Sequence, residues 1–140
     1  MDTELFELCK EVYEKTRWDK TESDDGFYWN WRYVFEHYPS KGKWGTVSRD
    51  DIPAYEQYKK HIVAPLYTSD YLLEKLPKKL KRGEAEGSIG TGYNLIEEKW
   101  DAMYGENNEW STAYYQEFAN TPLKALLKLT IALHKAGELK

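Results

Sequence analysis

With a single cysteine, Cys9, the chain cannot close an internal disulfide, so packing and hydrogen bonding must hold it together. No stretch approaches the roughly 18 consecutive apolar residues that a membrane span requires. The start lacks the basic patch and apolar run of a secretory signal. These absences lead us to expect a soluble protein of a reducing compartment, the cytoplasm. Neither sign of charge dominates: 24 carboxylates face 20 lysines and arginines, a net charge of -4. That balance is too small to hold the chain on nucleic acid or an anionic membrane by general attraction, so neither is expected as a partner.

Chemistry-bearing motifs are equally scarce. His37, His61 and His134 stand singly, with no second ligand at metal-binding spacing. The carboxylate pairs Asp24-Asp25, Asp50-Asp51 and Glu97-Glu98 are adjacent, and adjacent side chains diverge on helix and strand alike. There is no nucleophile elbow, HExxH helix, EF-hand loop or repeat. Cys9 lacks a histidine nearby in sequence and reads as a small buried hydrophobe. The expectation is a protein that is not an enzyme and that uses no cofactor and no metal.

Aromatic residues, by contrast, are abundant: six Trp, twelve Tyr and four Phe make up 16% of the chain. A core of this size cannot take in all of them, so some should form a partly exposed contact surface. Phe27, Trp29, Trp31, Tyr33 and Phe35 occupy alternate positions, the pattern of a strand with one aromatic face. That face reads as core packing against helices, with a stacking platform as the alternative. A helix precedes it over about Thr3–Thr16, where Leu5, Leu8, Cys9 and Val12 fall at helical spacing. Lys43–Ser48 reads as a short return strand, and a short helix is suggested around Tyr55, Tyr58 and Ile62.

The second half carries clearer punctuation. Thr68-Ser69-Asp70 opens a helix that Pro77 interrupts, and Lys78, Lys79, Lys81 and Arg82 then read as a solvated, basic helix end. Gly83–Gly92 reads as a flexible connector; its glycines lack the Gly-Lys-Ser/Thr ending and following helix of a phosphate loop. Tyr93–Trp100 and Glu109–Gln116 read as a hairpin whose turn is Asp101–Asn108. Thr121-Pro122 then starts a leucine-rich helix that Gly137 closes.

Two segments, Ile62–Pro77 and Phe118–Leu129 with Gly137-Glu138-Leu139, resemble stretches of small phage and prophage proteins of the phage ABA-sandwich type. The resemblance covers about half the chain and rests on helix caps and core leucines. It implies two helices flanking a hairpin and expression in a host cytoplasm, and it assigns no catalytic residues. The expected fold is a single α+β domain over residues 1–140. Its antiparallel sheet of three to five strands would be covered by the N-terminal and C-terminal helices. The expected function is a phage accessory protein that binds and modulates a host protein, with a component of antiviral defence as one candidate. The alternative is a small-molecule or carbohydrate binding module. The contact patch is placed on aromatics outside the recognisable core: Trp44, Tyr55, Tyr58, Trp100 and Tyr104.

Overall fold

Apolar residues three apart in the first segment generate helix α1 (Thr3–Thr16), which buries Phe6, Cys9 and Val12 along one line. Leu5 and Leu8, expected on the same stripe, are only half-buried. The computed structural model describes residues 3–19, 31–36, 44–48, 61–82, 85–106 and 113–139. The helix ends where Thr16 Oγ1 donates back to the Val12 carbonyl at 2.8 Å. Arg17 then turns left-handed (φ 57°) and its N–H closes on the Tyr13 carbonyl. The Arg17 guanidinium lies 5.1 Å from the centre of the Tyr13 ring, a cation–π contact that helps hold a non-glycine residue in that conformation. The chain divides into two compact units, Met1–Tyr67 and Thr68–Lys140.

The first unit pairs α1 with an antiparallel sheet in the order β2-β1-β3, formed by β1 (Arg32–Glu36), β2 (Trp44–Ser48) and β3 (Ile62–Pro65). The expected aromatic strand is therefore present from Arg32 onward, while Phe27 and Trp29 lie outside the described residues. Trp31 and Tyr33 share one side. The indole N–H of Trp31 and the hydroxyl of Tyr33 both donate to Asp19, at 3.2 and 3.0 Å. The alternation breaks one residue later. The register against β3 shifts between Val34 and Phe35, and both side chains are buried. Phe35 lies over its cross-strand partner Gly45, where an added Cβ would sit 2.5 Å from the ring. The expected return strand Lys43–Ser48 is β2.

In the second unit, α2 (Ser69–Lys75) starts at Thr68, whose hydroxyl accepts the Tyr71 N–H. It does not continue as a kinked helix past Pro77. Leu76 leaves the helical region, and the chain enters β4 (Lys79–Arg82), the edge strand of a sheet ordered β4-β5-β6-β7. The basic run is thus an edge strand rather than a helix end, and lysines on an edge oppose pairing with another chain. Lys79 bridges to Glu86 on the neighbouring strand at 3.0 Å. The remaining strands are β5 (Ala85–Asn94), β6 (Lys99–Gly105) and β7 (Ala113–Ala119).

Three expectations for this region are corrected. Gly83–Gly92 is mostly strand β5, not a connector. Tyr93–Trp100 is not a strand but contains the turn between β5 and β6, and Asp101–Gly105, expected as turn, is strand. Only the second hairpin strand is close, shifted to Ala113–Ala119. Glycines hid β5 because they pack poorly in sheets and signal turns. At Gly87 the reason for glycine is contact: an added Cβ would meet the Tyr114 ring at 2.7 Å.

The last helix, α3 (Pro122–Lys135), packs on β6 and β7. Thr121 caps it by accepting the Lys124 N–H at 3.2 Å, and Pro122 takes the first position. At the other end Gly137 (φ 77°) donates to the His134 carbonyl and Glu138 to that of Leu133, the paired closure of a Schellman motif. Leu126, Leu127, Leu129 and Leu133 are fully buried. The α+β class therefore holds, with helices at both ends and antiparallel strands throughout, but the strands form two sheets instead of one.

Thr121→Ala is expected to lower stability by about 1 kcal/mol through loss of the cap, seen as a shifted denaturation midpoint with unchanged slope. Burial pushes the Cys9 thiol up from 9.0 to about 12, partly opposed by the backbone of Tyr67. The folded state keeps its proton to higher pH than the unfolded chain does. Its contribution is therefore whole below about pH 9 and is lost as pH rises toward about 12, at about 1.4 kcal/mol per pH unit. Cys9→Ala should flatten that limb of the stability profile, and the native thiol should resist disulfide reagents at pH 8.

Candidate functional site

The β5–β6 hairpin turns through four residues, Leu95 to Glu98, between the register pair Asn94↔Lys99. Asn94 fixes that turn. Its side-chain carbonyl accepts the N–H groups of both Ile96 and Glu97 at 2.9 Å, so the first residues of the turn are tied to the end of β5. Glu98 completes the reversal in the left-handed region (φ 55°). With the backbone groups satisfied locally, the side chains of Leu95 and Ile96 point into solvent, 82% and 79% exposed. One step down the ladder, Tyr93 and Trp100 are cross-strand partners whose rings meet edge to face at 5.4 Å. Tyr93 is 49% exposed and Trp100 36%. Among the described residues, these four are the exposed large hydrophobic side chains, and they occupy one hairpin end.

A hollow of about 500 Å³ opens beside this tip. Its origin is the register. Asp101 and Met103, two apart on β6, share a face, and their partners on β5 are Gly92 and Gly90, which carry no side chain. The space that two strand residues would fill is left open, and Leu95 and Ile96 contribute to its wall. The Asp101 carboxylate is buried, 7% exposed. Among the described residues its hydrogen-bond partner is Gln116, whose Nε2 donates to Oδ2 at 2.7 Å. The other oxygen, Oδ1, lies 3.6 Å from where a Cβ on Gly92 would stand.

The aromatics expected to make the contact patch divide differently. Trp100 is at the exposed tip. Trp44 is not a surface residue: it is 5% exposed, and its ring packs against Phe6 with centroids 6.2 Å apart. Tyr104 is fully buried in the middle of β6, and its hydroxyl donates to the Pro77 carbonyl at 2.5 Å. Burial raises its phenol above the ordinary range, so it holds its proton and acts as a structural donor. Tyr104 was misplaced because the turn of the hairpin lies at Leu95–Glu98, not at Asp101–Asn108, and Trp44 because its burial rests on Phe6, a partner distant in sequence. Tyr55 and Tyr58 lie outside the described residues. Leu95, Ile96, Tyr93 and Asp101 are not among the residues expected from the sequence to form a site. A signal was present in Ser88-Ile89-Gly90-Thr91-Gly92-Tyr93, where small residues alternate with larger ones at period two.

Among the described residues no helix is long and apolar enough to cross a membrane, and no group of three or more His, Cys, Asp or Glu is placed to hold a metal ion. The chain matches no protein-family model, no curated protein and no solved structure.

Trp44→Ala should cost about 3–5 kcal/mol, the range for truncating a buried ring, and should act on the denaturation midpoint rather than on recognition. Glu98→Gly is expected to leave stability unchanged or raise it by up to about 1 kcal/mol, because glycine adopts the left-handed turn without strain. Glu98→Val should lower it by about 1–2 kcal/mol.

Proposed function

We propose that this protein acts by contact, as a non-enzymatic module whose β5–β6 hairpin end engages a protein partner. The observation that carries this reading is the grouping of Tyr93, Leu95, Ile96 and Trp100 at one tip. Single exposed hydrophobics are ordinary, but four within one eight-residue hairpin end form a patch, and such patches mark interaction sites. The tip is also suited to binding because its backbone is tied by Asn94. A pre-shaped turn loses little conformational entropy when a partner covers it. Tyr and Trp add large contact area for few rotatable bonds, and the exposed Glu97, Glu98 and Lys99 supply a polar rim. A phage or prophage origin, and a host protein as the partner, rest on the sequence resemblance of Ile62–Pro77 and Phe118–Leu129.

The test is capture from a bacterial host lysate with the full chain as bait, followed by binding of the captured, purified protein to variants. Leu95→Asp combined with Ile96→Asp should weaken that binding at least a hundredfold while leaving the melting temperature within a few degrees. A partner that binds the double variant as tightly as the parent would show that the hairpin tip is not the contact surface.

A further inference from the structure

We propose that the hollow beside the hairpin tip is a recognition pocket for an aliphatic cation, an ammonium or guanidinium group on a short alkyl stem, held by the Asp101 carboxylate. A carboxylate taken out of water is costly unless paired with a cation or fully hydrogen-bonded. Asp101 is 7% exposed, yet its partner among the described residues is one neutral amide, that of Gln116, on one of its two oxygens. An ionised carboxylate has about four acceptor sites, so among the described residues most of its capacity is unused.

The surroundings fit a cation on a stem. Gly90 and Gly92 add no side chain to the space in front of the carboxylate, and Oδ1 lies 3.6 Å from the Cβ position at Gly92. Met103 lies beside Asp101 on the same face, and Leu95 and Ile96 form an apolar wall leading out to solvent. A charged head would meet Asp101 while its methylenes lie along this wall, the division by which lysine and arginine side chains bury their stems. The volume of about 500 Å³ lies within the range of small-ligand sites. A nucleotide phosphate, itself anionic, is a poor match for a buried carboxylate.

The cation can be a free alkylamine or the side chain of a lysine or arginine on the partner that covers the tip. Only this second source rests on the contact reading above; the pocket itself stands on the β5–β6 register and on Asp101. The experiment is a titration of the 15N-labelled full chain at low salt with n-butylammonium, n-butylguanidinium and, as a neutral control, n-pentanol. The two cations should shift the amides of Thr91 to Ile96 and of Asp101 to Met103 saturably, and pentanol should produce less than a fifth of that shift. Asp101→Asn, which keeps an acceptor for Gln116, should weaken cation binding at least tenfold. Gly92→Val, which fills the space before Oδ1, should do the same, and it decides the matter if Asp101→Asn does not fold.

A blocked Gly-Arg-Gly or Gly-Lys-Gly peptide that binds at least as tightly as the free cations assigns the site to a partner side chain. Weaker peptide binding assigns it to a free amine. Equal shifts with pentanol, shifts scattered over the surface, or undiminished binding by the folded variants would overturn the pocket. None of those outcomes bears on the Leu95 and Ile96 test, so the two ideas fail separately.

Discussion

The antiparallel register of β5 against β6, from Ser88↔Gly105 to Asn94↔Lys99, is the constraint from which the candidate site follows. It sets Gly92 opposite Asp101 and Gly90 opposite Met103, which opens the hollow. It sets Tyr93 opposite Trp100, which brings the two rings edge to face. It also places the reversal at Leu95–Glu98, which carries two aliphatic side chains into solvent. A slip of one residue would move every one of these side chains to the other face of the sheet. The hollow, the aromatic pair and the exposed tip are therefore one structural decision.

That register is held from both sides. At the closed end Asn94 captures two turn N–H groups, and Glu98 accepts a left-handed conformation that a glycine would adopt with less strain. Along β6 the other neighbour is β7, and α3 lies against both strands with its leucines fully buried. Tyr104 anchors the centre of β6 through its hydroxyl to the Pro77 carbonyl, linking the strand to the segment that follows α2. Buried side chains are concentrated in α3 and β6, and the exposed tip sits at the hairpin end of the same ladder. A site at the rim of a rigid support can be apolar and exposed without loosening the fold.

The first unit follows the same physical rules. Asp19 satisfies both Trp31 and Tyr33, and Phe35 covers Gly45 across the strand pair. Cys9, the chain's one thiol, is fully buried with its pKa raised. It fills space as a small hydrophobe, and the nucleophile reading has no support from its surroundings.

Elements whose signals are local were legible in the chain itself. Helix α1, the Thr68 and Thr121 caps, the Gly137 closure and strand β2 each depend on residues within a few positions of one another, and each lies where the sequence places it. The core role of Trp31 was legible from alternation as well. What only the tertiary structure decided is which glycines are strand and which are turn. Gly87, Gly90 and Gly92 look like a connector until Tyr114, Met103 and Asp101 are seen beside or opposite them, and those residues are 9 to 27 positions away. Burial of Trp44 against Phe6 and of Tyr104 within β6 depends in the same way on partners distant in sequence. Composition made an exposed aromatic surface expected; cross-strand pairing chose Tyr93 and Trp100 to form it, because register is fixed by long-range packing that no local pattern contains.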